Sequence, residues 1–542
     1  MSLGAASMDR RGFLHRVGTA SAALGATALL GAAEACGKGS GSGGSSLGLT
    51  TTSQGSGGSG GPSEPSGPVV WSELAAMLTG PLVLSDSPSY AADAALFNEL
   101  YTPEPAAIAY CATPTDVQRC VAFARAHDTP LAARSGGHSY GGYSSSPGLV
   151  VDVTSLNGIE VASGGQLATI GAGAHLVDVY SQLASSGVLV PGGSCPTVGI
   201  AGLALGGGIG VLARAYGMTC DNIASLKMVT ADGSLRTCAP TDHADLYWAS
   251  KGGGGGNFGV VTSFTFTTHL IPEVALFTLE WPWGDAATAL DAWLRWMPTT
   301  PNELWSNCQL YSNGTASGGL LKITGVFAGT TGACASALAP LLTAVGSTPT
   351  DHFVGPENFL NAMLIEAGCE GKTIGECHLP TQNPAGTLSR SAFAAKSAFV
   401  TAPFPEAGTT AMIDAVEALG AAAPQVGGGI VFDGYGGVIN EVASDSAAFV
   451  HRDAIACAQY SVTYPNGSPP ASVSAAVRSW LEATQSTFAP YAQGAYQNYI
   501  DPSLPNWAEA YYGTNLARLK RVKSTYDPDD LFHFAQSIPL PV

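Results

Sequence analysis

Three glycine-rich clusters hold the residues of this chain whose types and spacing suit chemistry. The first runs Arg134, Ser135, Gly136, Gly137, His138, Ser139, Tyr140, Gly141, Gly142. The second occupies 191–210 and contains Gly193, Cys195, Thr197, Val198, Gly199 and Gly202. The third, 251–262, contains Gly256, Asn257, Gly259 and Val261. Glycine lets backbone approach a ligand closely, and successive free N–H groups form a nest suited to an anion such as pyrophosphate. No Gly-Lys-Ser/Thr closes a cluster, so none is a P-loop. The G-x-G-x-x-G order with its later acidic residue is also missing. Each cluster alone is compatible with a tight turn. Three of them between 134 and 262 point to a long ligand threaded along backbone, such as a dinucleotide.

These loops need elements to hold them, and the hydrophobic pattern divides the chain accordingly. From 69 to 272, short β-branched runs alternate with amphipathic helical segments. Residues 107–110 read as a strand, followed by a helix whose Val117, Cys120, Val121 and Ala124 share one face. Strands are expected at 131–134 and 149–153, and a second helix at 175–186, stopped by Gly187. From 273 to 493 the composition shifts. Trp281, Trp283, Trp293, Trp296 and Trp305 gather there beside strand-like runs at 320–326 and 430–432 and an Ala-rich helix at 409–419. The tryptophans suit an ordinary core better than a sugar-stacking surface. The remainder, 494–542, is rich in Tyr and carries a basic helix at 516–522. This is an α+β or α/β pattern.

Composition narrows the function. In 542 residues there are 22 Lys plus Arg against 40 Asp plus Glu, a net charge of −18. An acidic chain without basic runs is a poor nucleic-acid binder. Hydrophobic residues make up 46% and charged residues 11%, which excludes general disorder. Met8-Asp9-Arg10-Arg11-Gly12-Phe13-Leu14 resembles a twin-arginine export motif, and Ala33-Glu34-Ala35 fits a cleavage site, so 1–35 reads as a signal peptide. Cys36 then heads a Gly/Ser-rich tether, 36–68, and is a candidate lipid anchor. No later stretch is long and apolar enough for a transmembrane helix. Eleven cysteines are few for a disulfide scaffold, and no zinc spacing is visible, so no metal is expected. Cys369 and Cys377 are candidates to pair, whereas Cys111 and Cys120 read as buried thiols.

The ordered motifs resemble the flavin-dependent oxidases of the vanillyl-alcohol-oxidase superfamily, in the berberine-bridge-enzyme-like branch that includes carbohydrate oxidases. Residues 134–139 are similar to the family's flavin-histidine segment, and Gly193 to Gly199 to its flavin-cysteine segment. Asn498-Tyr499-Ile500-Asp501, Tyr511-Tyr512-Gly513 and Tyr526-Asp527-Pro528 follow its closing motif. The resemblance implies a PCMH-type FAD-binding domain (69–272) and a substrate domain with an antiparallel sheet covered by helices (273–493). It implies, too, a C-terminal segment returning to the first domain (494–542). It further implies FAD attached twice, to His138 through the 8α-methyl and to Cys195 through ring carbon C6.

By the same resemblance Tyr499 is the catalytic base, Tyr496 its rival, and Asp433 and Tyr435 face the flavin, with Asp433 orienting Tyr499. Gln459 is a weaker substrate contact. Val198 occupies the position where valine accompanies oxygen reactivity. Ile209, Leu203 and Cys457 depart from the plant pattern and favour the bacterial branch. The expectation is an exported, monomeric flavoprotein oxidase acting on a small-molecule C–OH with dioxygen. A tailoring dehydrogenase or cyclase, and a non-catalytic binding lipoprotein, are the alternatives.

Overall fold

A computed structural model describes residues 69–465 and 467–541; the expected signal peptide, Cys36 and the Gly/Ser-rich segment after it lie outside them. The N-terminal part holds two sheets. In the four-stranded sheet, Leu149–Asp152 lies between Ala107–Tyr110 and Leu131–Arg134 and runs parallel to both. All four residues of Leu149–Asp152 are buried, as an apolar run in a covered parallel sheet should be. The helix Pro114–Ala126 starts with a capping box between Thr113 and Asp116, and proline at its first position needs no N–H there. It presents Val117, Cys120, Val121 and Ala124 to the core. The second sheet has five antiparallel strands with Gly259–Thr267 at its centre, paired on either side with Leu167–Gly171 and Ile223–Thr230.

The eight-stranded antiparallel sheet is built from the later region, in the order Asp351–Glu357, Val274–Trp281, Gly319–Ala328, Leu304–Ser312, Gly427–Gly434, Ala456–Tyr464, Ala392–Val400, Ala492–Gln493. Side chains alternate across a strand, so each strand serves two environments. Phe277, Leu279, Cys308, Leu310, Ile323 and Phe432 are buried with helix residues such as Trp293, Leu338, Met412 and Val416 in one core. The opposite face is polar. Register aligns Asp351, Glu280, Lys322 and Gln309 in one row, and Phe353, Thr278, Thr324, Asn307, Asp433 and Cys457 in the next. Most of the tryptophans belong to the core, since Trp281, Trp293 and Trp296 are buried. Trp305 is also buried but sits on the polar face.

The last segment folds back over the glycine clusters. The Lys523 side chain is fully buried and donates to Asp527 at 2.6 Å and to the carbonyls of Asn257 (3.0 Å) and Phe532 (2.7 Å). Asn257 in turn accepts from the Ile538 N–H. A buried ammonium is tolerable when its protons all meet acceptors, and here three do. Arg214, likewise buried, donates to backbone carbonyls of Leu304, Tyr435 and Thr300, tying the first domain to the sheet. Cys369 and Cys377 form a disulfide, and Cys111 and Cys120 are buried thiols with sulfurs 3.9 Å apart. Among the described residues, no helix is long and apolar enough to cross a membrane.

Candidate active site

The three glycine clusters and the polar sheet face enclose one cavity of about 1110 Å³. That exceeds a typical small-molecule pocket of roughly 300–1,000 Å³, so it has room for a long ligand and a second molecule. The first two clusters meet backbone to backbone. A Cβ on Gly136 would lie 2.3 Å from the Gly199 nitrogen, and one on Gly199 would lie 2.0 Å from Ser135 Oγ. Ser135 Oγ donates to the Ala172 carbonyl at 2.7 Å, fixing the loop. In contrast, nothing lies within 4 Å of a Cβ built on Gly202, which lines the cavity. Gly254 and Gly256 line it as well, at φ values of 87° and 72° that side chains disfavour. The bare backbone surface is therefore aimed at the cavity, as the approach of a dinucleotide requires.

His138 stacks on Phe97 at 3.9 Å, and its Nε2 is 2.8 Å from Thr197 Oγ1. Burial, reinforced by the positive potential of His175 and Arg390, pushes the imidazole down to about 3, so it is neutral at ordinary pH. Cys195 borders the same cavity. Val198, Gly193, Gly199, Ser139, Gly137, Gly259, Val261, Asn257 and Asn498 line the cavity. Arg134 borders it too, but its guanidinium is committed to Asp152 and the Asp93 carbonyl, which makes it scaffold. Thr197 is fully buried and acts through His138.

The tyrosines separate into distinct roles. Tyr496 is 1% exposed, and its hydroxyl oxygen accepts from Gly208 N (2.8 Å), Ile209 N (3.1 Å) and Asn498 Nδ2 (3.0 Å). Tyr499 is only half-buried, stacks on Tyr140 with ring centres 5.2 Å apart, and faces the cavity. Burial and then the nearby Asp433 hold its phenol well above the ordinary value. Asp433 also faces the cavity, and burial pushes its carboxyl up to about 7.

Tyr435 does not join them. Its side chain is fully buried against Phe399, away from the cavity lining. Alternation from Asp433 would place it on the cleft face, but the strand ends at Gly434 and Gly436 turns the chain at φ 95°. Gln459 reaches the site indirectly, donating to the Tyr140 hydroxyl at 2.9 Å.

Several cavity residues escape sequence reading because they come from separate strands: Asn307, Gln309, Lys322, Thr324 and Trp305. Glu366 carries one faint signal. It is the last residue of the helix Phe359–Glu366, an unfavourable end for an anion, and burial pushes it up to about 7. The fold also assembles His175, Asp178 and His378, with His378 Nε2 at 2.9 Å from the Asp178 carboxylate.

Residues 105–239 match the family model of the FAD binding domain, and residues 495–539 match that of berberine and berberine-like proteins. The FAD-linked oxidoreductase YgaK of Bacillus subtilis, itself uncharacterized, is 34% identical over 467 residues, covering 85% of this chain and 97% of the relative. The chain belongs to the FAD-linked oxidoreductases of the berberine-bridge-enzyme-like family. A xylooligosaccharide oxidase of Thermothelomyces thermophilus is 28% identical over 84% of this chain and 92% of its own length. Among solved structures, BBE-like 1 of Physcomitrella patens superposes with a TM-score of 0.79 at 28% identity, covering 87% of this chain and all of the other. The oxidoreductase family, the mixed helix-and-sheet fold and an FAD site all follow.

The two candidate tyrosines differ in what their hydroxyls hold. Tyr496→Phe strips three donors of their acceptor and should cost about 1–3 kcal/mol of stability. Tyr499→Phe, whose hydroxyl anchors no comparable set, should cost roughly 0.5 kcal/mol or less. Urea unfolding of the two variants measures the difference.

Proposed function

We propose that this protein is an FAD-dependent oxidase that converts a C–OH of a sugar, glycoside or secondary metabolite to C=O, with dioxygen as terminal acceptor. The observation that carries the reading is the convergence of Tyr499 and Asp433 on one cavity between the glycine loops and a polar sheet face. The likeness to a xylooligosaccharide oxidase supports a hydroxylated substrate. An export signal at 1–35 accords with a cofactor-loaded enzyme acting outside the cytoplasm. The bound flavin supplies a hydride acceptor at N5 and returns the electrons to oxygen as hydrogen peroxide.

The chain's own residues handle the proton. A phenol raised by burial is a weak candidate for a free phenolate, whereas a carboxyl near 7 is poised to accept a proton at neutral pH. Tyr499 therefore takes the substrate hydroxyl proton, and Asp433, which shares no direct hydrogen bond with it and so does not orient it as expected, receives a proton across the cavity. Asn307, Gln309 and Thr324, already joined by hydrogen bonds of 2.8–2.9 Å, present amides and a hydroxyl to the substrate. His138 and Cys195 hold the isoalloxazine ring from two loops. His138 Nε2 meets Thr197 Oγ1 at 2.8 Å, and in the tautomer that carries its proton there the other ring nitrogen of the neutral imidazole would be the one available to the flavin. The Cys195 link requires that residue in its thiol form. Gly193, Gly199, Gly202, Gly256, Asn257, Gly259, Val261 and Asn498 line the remaining flavin path.

Acid precipitation of the purified yellow protein tests the attachment. Colour should stay with the wild type and with His138→Ala or Cys195→Ala, and should leave the double variant; free FAD from the wild type overturns bicovalent attachment. An oxygen electrode with mono- and oligosaccharides tests the activity, and a lack of peroxide with all of them points to the dehydrogenase alternative.

The proton path has a pH signature. Asp433 accepts a proton only when ionised, so the rate of flavin reduction should climb as pH rises through about 7. In Asp433→Asn that limb should vanish, and Tyr499→Phe should slow reduction by about 10²–10⁴-fold. Stopped-flow reduction across pH reads both.

Val198 is half-buried and borders the cavity, so an added methylene would project into space that an oxygen molecule needs beside the ring. Val198→Leu should slow reoxidation by oxygen and spare reduction by substrate. Equal reoxidation rates in the two proteins make Val198 a packing residue.

A further inference from the structure

The sheet end of the cavity carries more negative charge than hydroxyl recognition needs. Glu280, Asp351, Glu366, Glu370 and Asp433 all line it, against Lys322. Lys322 is already shared with Glu280 at 3.5 Å. Asp433 is 3% exposed and opens on the cavity, and neither its carboxylate nor that of Glu366 has a hydrogen-bond partner among the described residues. Burial raises Glu366, the Lys322 charge lowers it and Asp433 raises it in turn, so one lysine serves the carboxylates at this end of the cavity. A desolvated carboxylate without a donor is costly unless a cation or a proton meets it. Neutral hydroxyls are provided for already by Asn307, Gln309 and Thr324.

We propose that the cleft selects a substrate bearing a protonated amine near the hydroxyl that is oxidised, such as an amino sugar, with Glu366 receiving the ammonium and Asp433 left to accept the proton. The proposal rests on the oxidase reading and names the substrate class of that site. An ammonium meeting Glu366 replaces the missing donor and screens Glu366 from Asp433. A neutral sugar of the same shape leaves Glu366 facing the charge of Asp433 with no cation between them. Charge complementarity of this kind separates partners that differ by one charge.

Calorimetric binding of the glucosamine dimer and of its N-acetylated counterpart to the flavin-loaded protein, its flavin reduced beforehand with dithionite and oxygen excluded, tests this without turnover. The amine dimer should bind at least about tenfold tighter, a difference of roughly 1.4 kcal/mol. Its affinity should rise from about pH 5 to about pH 7 as Glu366 ionises from its raised value of about 7. In Glu366→Gln the ratio between the two dimers should collapse toward one, and Glu366→Asp should restore part of it. Equal binding of both dimers, tighter binding of the acetylated dimer, no binding of the amine dimer, or a ratio unchanged in Glu366→Gln overturns the proposal. Oxidation of neutral sugars alone, with peroxide formed, upholds the oxidase reading while overturning this one. No flavin reduction by any sugar defeats the oxidase reading itself, whatever the binding ratio.

Discussion

The close passage of Gly136 over Gly199 is the constraint on which the site depends. Two backbones separated by 63 positions of sequence lie so near that neither residue tolerates a Cβ. The contact places His138 against Thr197 and brings the Cys195 loop to the same cavity. A side chain at either glycine forces a shift of about 1 Å, enough to stretch the His138–Thr197 contact of 2.8 Å past hydrogen-bond length and to move the two proposed attachment points relative to each other.

Around that contact the molecule is arranged to keep the loops from moving. The C-terminal segment covers the third cluster through the buried Lys523, whose protons are taken by Asp527 and by the carbonyls of Asn257 and Phe532. Tyr496 closes the second cluster by receiving the Gly208 and Ile209 N–H groups. Glycine-rich backbone is entropically expensive to order, and these polar ties offset that cost where apolar side chains are absent. They also explain why two neighbouring tyrosines differ: Tyr496 is spent on structure, which leaves Tyr499, three residues on, to face the cavity.

The eight-stranded sheet solves a different problem. One face supplies a hydrophobic core for the helices, and alternation then delivers the other face as rows of polar side chains at strand spacing. The rows give the cleft its hydrogen-bonding capacity and its excess of carboxylates. Burial raises Asp433 and Glu366 to about 7, so the chemistry of the substrate side is set by desolvation as much as by residue type.

Much of the site was legible in the chain because its parts are local. Glycine clusters announce close backbone approach, and His138, Cys195 and the Asn498–Asp501 run sit in short contiguous motifs. Strands such as Leu131–Arg134 and helices such as Leu176–Ser185 follow from apolar periodicity within one residue or so of their ends. What only the tertiary structure decided is which distant side chains share a space. Asn307, Gln309, Lys322, Thr324 and Glu366 carry no motif, because strand register and a helix end, set by long-range pairing, bring them together. Tyr435 is the converse case: the family resemblance pointed it at the cleft, and the turn at Gly436 buried it against Phe399. Local sequence fixes which backbone can approach a ligand. The surroundings that set charge and exposure are assembled from residues far apart in the chain, and those exist only once it is folded.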